Sequence, residues 1–250
     1  MADIGAGWER LILPWDQIQP NGPGDFSKLG QTLSASALQG ELNRGVKVAG
    51  VFQFTPGWAQ ANPSQGGRSA PKNLNLPFDH PDNYWGRFVF ETVKHYQGRI
   101  NEWIIWNEPA FRPEDPGAGG SYTWQGTEAE FAQLTKVAYL AAKKANPNST
   151  VVFAGTSYWV DKNQGRPQFY ERNLALLTQD PAAAANNQFH DAVALNLYRS
   201  PDDMLRVHAE FKEIQKKYGV DKPMWLTETN AMPTNDSSIP CAERFSNQFP

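Results

Sequence analysis

Short runs of β-forming residues alternate along this chain with stretches of helical period, and nothing else in it narrows the fold as much. "WERLIL" (residues 8–13) reads as a strand. The following "DFSKLGQTLSASALQGELNRG" sets Phe26, Leu29, Leu33, Leu38 and Leu42 near helical spacing and closes on Gly45, which predicts one helix through the segment. "VKVAGVFQF" (46–54) is the next strand, followed by a polar loop rich in Gly, Pro and Asn that reaches to about Asp82. "NYWGRFVFETVKHYQG" then places Trp85, Phe88, Val89, Val93 and Tyr96 on one helical face, closed by Gly98.

The unit repeats. "EWIIW" (102–106) is a strand, and a Gly-rich loop leads to a helix predicted over residues 128–145 from Phe131, Leu134, Val137, Ala138 and Ala141. "TVVFAG" and "QFYERNLALLTQ" form the next strand and helix. "DAVALNLY" is followed by a helix with Met204, Val207, Phe211, Ile214 and Tyr218 on one face, and "KPMWLTET" is the last strand found. Near-continuous apolar strands alternating with helices imply a parallel sheet covered by helices. The long loops all follow strands and the returns from helix to strand are short, as in a barrel whose working face lies at the strand C-termini. An open doubly wound sheet would more often carry G-x-G-x-x-G after its first strand, and none is present. The expected fold is therefore α/β, a TIM-type (β/α) barrel forming a single domain over residues 1–250. Six strands are legible where eight would close such a barrel.

Composition excludes several partners. A net charge of −3 over 250 residues leaves no electrostatic footprint for nucleic acid or an anionic membrane. No apolar run approaches the roughly 20 residues that span a bilayer. The start, "MADIGAGWERLILPW", lacks a basic segment followed by an apolar core and a cleavage site, so no export signal is read and the compartment stays open. The single cysteine, Cys241, can form no internal disulfide. His80, His95, His190 and His208 show no metal-ligand spacing. No metal or organic cofactor is expected.

Two strands run directly into a glutamate: "WIIWNEP" (103–109) at Glu108 and "MWLTETN" (224–230) at Glu228. At a barrel mouth, two facing carboxyl groups are the minimal kit for cleaving a glycosidic bond, one protonated to donate to the leaving oxygen and one ionised to attack the anomeric carbon. Most strand-end glutamates are merely solvated, but Pro109 restricts the backbone of Glu108 toward extended geometry, which helps to aim its side chain. Nine Trp, eight Tyr and fourteen Phe exceed what a site needs, and most must fill the core. Trp58, Trp124 and Trp159, on or beside loops that follow strands, are candidate sugar platforms, whereas Trp106 reads as core.

"WNEP" at 106–109, with a later strand ending in "TE" at 227–228, resembles clan A of the retaining glycoside hydrolases. "RLILPWDQIQP", "VFQFTPGWA", "VVFAG" and "ALNLY" are similar to the clan's second, third, fifth and sixth strands, so the resemblance covers nearly the whole chain. It implies Glu108 as general acid/base and Glu228 as nucleophile. It also implies Asn107 as a hydrogen-bond partner of the sugar 2-hydroxyl, Arg10 beside the nucleophile, and Tyr198 as a donor to Glu228. Asn196 stands where the clan often has a histidine. The clan's first strand would precede Met1 and its eighth would follow Pro250, so the chain is expected to be truncated at both ends. The expected function is that of a retaining β-glycosidase acting on a glycoside, oligosaccharide or polysaccharide, with no nucleic acid or membrane partner. The alternative is a catalytically inactive carbohydrate-binding barrel or an inactive fragment of a larger glycosidase. Residues 58–82 and 111–126 are expected to wall the cleft.

Overall fold

The computed structural model describes residues 5–31, 33–115, 122–198 and 200–229. Six strands are described: β1 (Trp8–Pro14), β2 (Lys47–Gln53), β3 (Glu102–Asn107), β4 (Thr150–Ser157), β5 (Ala192–Leu197) and β6 (Met224–Thr229). They form one parallel sheet in chain order, β1 through β6, each paired with the next. The helices are α1 (Trp15–Ile18), α2 (Ala35–Asn43), α3 (Tyr84–His95), α4 (Glu128–Ala145), α5 (Tyr158–Asn163), α6 (Phe169–Leu177) and α7 (Pro201–Lys217).

The sheet curls until its two ends meet through side chains. Arg10 on β1 reaches Glu228 on β6 at 2.8 Å, and the rings of Trp8 and Trp225 lie 5.8 Å apart. This is an incomplete (β/α) barrel, as the strand–helix rhythm predicts. Its concave face holds a small cluster of Ala49, Val51, Ile104, Val152, Ala192 and Ala194 with Trp225 against it. The larger core lies between the convex face and the helices, where Trp15, Phe52, Trp85, Phe88, Trp103 and Trp106 are fully buried. A cavity of about 580 Å³ opens between β1 and β6, lined by residues that include Trp8, Arg10, Ile104 and Trp225.

Local chemistry sets the element ends. At the start of α4, the Thr127 hydroxyl accepts from Glu130 N–H at 3.1 Å and the Glu130 carboxylate accepts from Thr127 N–H at 2.7 Å, a reciprocal cap. Asn83 caps α3 by accepting from Gly86 N–H at 3.0 Å, and only glycine fits at 86 because a Cβ would lie 2.2 Å from the Phe78 carbonyl oxygen. The single helix expected over residues 25–45 is corrected to α2 alone. Gly30 takes a left-handed φ of +87° and Ser34 caps a fresh helix by accepting from Ala37 N–H, so the earlier leucines sit in turns. β4 passes directly into α5, so Trp159 lies on a short helix rather than on a loop.

Candidate active site

Three non-glycine residues near the strand C-termini adopt left-handed backbone: Phe54 (φ +66°), Trp106 (φ +72°) and Glu108 (φ +49°), so the extended geometry expected at Glu108 ahead of Pro109 is corrected. Such conformations persist only where the surroundings enforce them, and they gather at functional sites. At Trp106 the effect on side-chain direction is direct. Ile104 points into the barrel, and strict alternation would send Trp106 the same way. Instead Trp106 packs beneath the helices against Trp85 and Trp124, and Asn107 turns inward.

β6 reaches the same place by a bulge. Leu195 pairs with Leu226, but the next residue, Asn196, pairs with Glu228, so β6 carries one residue more than β5. The extra residue brings Glu228 level with Asn196, the re-aiming that bulges near sites supply.

These devices assemble a continuous set of hydrogen bonds. Arg10 donates to Glu228 Oε1 at 2.8 Å through Nη1 and to Asn107 Oδ1 at 2.6 Å through Nη2. Asn196 Nδ2 donates to Asn107 Oδ1 at 3.1 Å and to Glu108 Oε1 at 3.2 Å. The Tyr198 hydroxyl donates to Glu228 Oε2. Arg10, Asn107, Glu108, Asn196, Tyr198 and Glu228, each singled out from the sequence, thus come together across four strands.

The two glutamates have different settings. Glu228 accepts from a guanidinium at one oxygen and a phenol at the other. Burial pushes the Glu108 carboxyl above the ordinary range; donors at Ser157 and Asn196 partly offset this, while the nearby Glu228 charge adds to it. Burial and the bond to Glu228 likewise push the Tyr198 phenol upward, which keeps it a donor.

Several residues of the site carried no signal in the sequence. Thr227 Oγ1 donates to Asn196 Oδ1 at 2.8 Å, which fixes the amide with its NH2 toward Glu108 and Asn107. Gly155 makes room for both amides, since a Cβ there would lie 2.8 Å from Asn196 Oδ1 and 3.2 Å from Asn107 Oδ1. Thr123 Oγ1 lies 2.5 Å from the Asn107 carbonyl oxygen. The quoted "VVFAG" and "TE" held Gly155 and Thr227, but side-chain registry across strands is not a property of either run.

Among the tryptophan platforms, Trp124 needs correction. Trp124 is only 3% exposed and packs edge-on against Trp106 and Phe131, so it belongs to the core. Trp58 is half-buried, edge-on against Trp15 and Tyr84, and its indole N–H donates to the Gln19 carbonyl at 2.7 Å. Arg206 covers one face of Trp159 at 5.4 Å. Trp124 therefore offers no free flat face, while Trp58 and Trp159 stay partly exposed. Cys241 and residues 116–121 of the expected cleft wall lie outside the described residues. Among the described residues no group of three or more His, Cys, Asp or Glu side chains is placed to hold a metal ion, and no helix is long and apolar enough to cross a membrane.

No family model matches the chain, and no curated protein matches it. Solved structures do. A glucosidase from Croceicoccus marinus superposes with a TM-score of 0.61 at 18% identity, over 86% of this chain and 42% of that one. A family 39 glycoside hydrolase from Bacteroides cellulosilyticus WH2 gives 0.60 at 17% identity, over 94% and 46%. An exo-β-1,4-mannosidase, Op5Man5, from Opitutaceae bacterium strain TAV5 gives 0.58 at 16% identity, over 96% and 42%. This chain spans less than half the length of each, and over that span it has the (β/α)-barrel fold of these glycoside hydrolases.

Proposed function

We propose that this chain carries the catalytic carboxylates of a retaining β-glycosidase, with Glu228 as nucleophile and Glu108 as general acid/base. One observation carries the reading: two glutamates from distant strands share a single hydrogen-bonded set yet sit in opposed surroundings, Glu228 ion-paired to Arg10 and Glu108 half-buried with its carboxyl pushed upward. The similarity in fold to a glucosidase and a mannosidase supports glycoside hydrolysis as the reaction class.

In the first step Glu228 attacks the anomeric carbon while Glu108 protonates the departing oxygen, leaving a glycosyl ester on Glu228. In the second, Glu108, now a carboxylate, takes a proton from water as that water attacks the same carbon and releases Glu228. Asn107 Oδ1 already accepts from Arg10 and Asn196, which leaves the Nδ2 end to meet the sugar 2-hydroxyl. Two carboxyl groups supply both the nucleophile and the proton, so a β-linked sugar and water are the reactants the chemistry requires.

A 2-deoxy-2-fluoro glycoside bearing an activated leaving group tests the assignment. The expected result is a stoichiometric mass increase on the peptide that contains Glu228, blocked in Glu228→Ala. The basic limb of kcat/KM against pH is expected above the ordinary glutamate range and to vanish in Glu108→Gln. Sugar binding with neither turnover nor labelling would overturn the reading in favour of a carbohydrate-binding barrel.

A further inference from the structure

The left-handed backbone of Glu108 has to be held from both sides. On the strand side, Glu108 N–H donates to the Gly155 carbonyl at 2.8 Å, and Thr123 Oγ1 bridges the carbonyl oxygens of Asn107 and Glu108 at 2.5 and 3.3 Å. On the exit side Pro109 offers no N–H, and the next handle is the carbonyl of Ala110. Arg166 takes it, with Nη2 donating at 3.0 Å.

The same guanidinium is gripped from three directions. It forks onto Asp115, Nη1 to Oδ1 at 2.7 Å and Nη2 to Oδ2 at 2.8 Å. Its Nε donates to Asp161 Oδ1. Asp115 in turn accepts from Arg112 N–H at 2.9 Å and closes the turn that follows Ala110. Asp161 accepts from Phe169 N–H at 2.6 Å, which ties it to the first residue of α6. Asp161 is 0% and Asp115 9% exposed. A buried ion cluster is a poor source of net stability, because apolar residues of the same volume would serve as well. A planar guanidinium held by a bidentate carboxylate does fix geometry, and lysine cannot copy it.

Resting on the glycosidase reading above, we propose that Arg166 is the positioning residue of the acid/base: it locks the turn from Glu108 to Ala110 so that the Glu108 carboxyl stays beside Asn196. Arg166 touches neither catalytic carboxyl. It acts through the backbone.

The test uses the full chain with Arg166→Lys and Arg166→Gln and two readouts. The first compares a phenyl glycoside, whose poor leaving group needs the proton from Glu108, with the 2,4-dinitrophenyl glycoside, which does not. The second follows the carbon-13 resonance of the Glu108 carboxyl against pH. The groups that face this carboxyl, Arg10, Ser157, Asn196, Tyr198 and Glu228, are unaltered in both variants. The expected result is a loss of roughly 10- to 100-fold in kcat/KM on the phenyl glycoside, with kcat/KM on the dinitrophenyl glycoside retained, because that ratio reports the first step and not the second, in which Glu108 serves as base on either substrate. The Glu108 midpoint moves down toward the ordinary value as water reaches the carboxyl. An equal loss on both substrates, or an unmoved midpoint in a folded variant, overturns the proposal. Should both variants fail to fold, Asp115→Asn removes the charged fork, leaves the bonds to Ala110 and Asp161, and is read the same way. A wild-type chain that cleaves no glycoside defeats the glycosidase reading, and the Glu108 titration then decides the role of Arg166 alone.

Discussion

The amide of Asn196 has only one orientation that satisfies its neighbours. Its oxygen accepts from Thr227 and its nitrogen donates to Asn107 and Glu108, and the absence of a side chain at Gly155 leaves space for the oxygen. Gly155→Ala would press a methyl group against that oxygen from a strand that cannot retreat. It is expected to destabilise the fold by about 1–3 kcal/mol through overpacking and to depress glycoside hydrolysis more than substrate binding, because the amide must leave Glu108. Gly57→Ala is the control, since a Cβ there meets nothing within 4 Å. Urea unfolding and steady-state kinetics on the two variants check the pair; equal effects would show that the site tolerates the methyl group. Glu108 and Glu228 were legible as residues, because a carboxylate at the end of an apolar strand is a local pattern, whereas Arg10, Asn107, Asn196 and Tyr198 came from the resemblance alone. Gly155 and Thr227 were not, because their roles exist only between strands. Trp124 misled for the converse reason. Trp58, Trp124 and Trp159 look alike in a loop-rich sequence, and only the packing of Trp106 and Phe131 on Trp124 shows that this one belongs to the core.

At the scale of elements, sequence and structure agree best where a helix has both a clear period and a capping pair. α4 spans Glu128–Ala145 as the period predicts, and Thr127 with Glu130 marks its first turn. Thr127→Ala removes one half of that reciprocal cap and is expected to cost about 1 kcal/mol, seen as a lower denaturation midpoint with an unchanged m-value. An unchanged midpoint would mean that packing of the apolar face of α4 alone sets its start. The segment over residues 25–45 carried leucines at helical spacing too, but Gly30 and the Ser34 cap divide it, and periodicity counts side chains without counting backbone breaks. The strands were legible as runs to within one or two residues. Their two irregularities, between Phe153 and Thr156 on β4 and at Glu228 on β6, were not, because a bulge is a property of a pair. Those irregularities decide which way the functional side chains point.

Across the whole molecule, the end of the barrel opposite the site carries its own strained segment. Asn187, Gln188 and Phe189 are three consecutive non-glycine residues with left-handed φ, just before β5. His190 closes the segment: it is 0% exposed, with Nδ1 2.8 Å from the Gln188 carbonyl oxygen and Nε2 3.0 Å from the Tyr170 hydroxyl. Lys222, ahead of β6, donates to the Asn187 carbonyl at 2.8 Å. Burial holds the His190 imidazole down at about 4, against an ordinary 6.5, with the Lys222 charge adding to the same direction and the Gln188 carbonyl and Asp191 opposing it. The sign of the stability effect follows. Between pH 6.5 and 4 the unfolded chain takes up a proton at this position that the folded chain refuses, so the contribution is complete above 6.5 and is lost as pH falls toward 4. The loss amounts to about 3 kcal/mol. Glu108, with its carboxyl pushed upward, works in the opposite sense as pH falls toward the ordinary glutamate range, so the wild-type curve alone mixes the two. The difference between wild type and His190→Asn separates them. The variant is expected to be less stable at pH 7, having lost the Tyr170 contact, and to show a flatter decline from pH 6.5 to 4 by urea unfolding. Parallel curves for the two proteins would mean that His190 titrates with the chain as a whole and that the lower rim holds by packing alone.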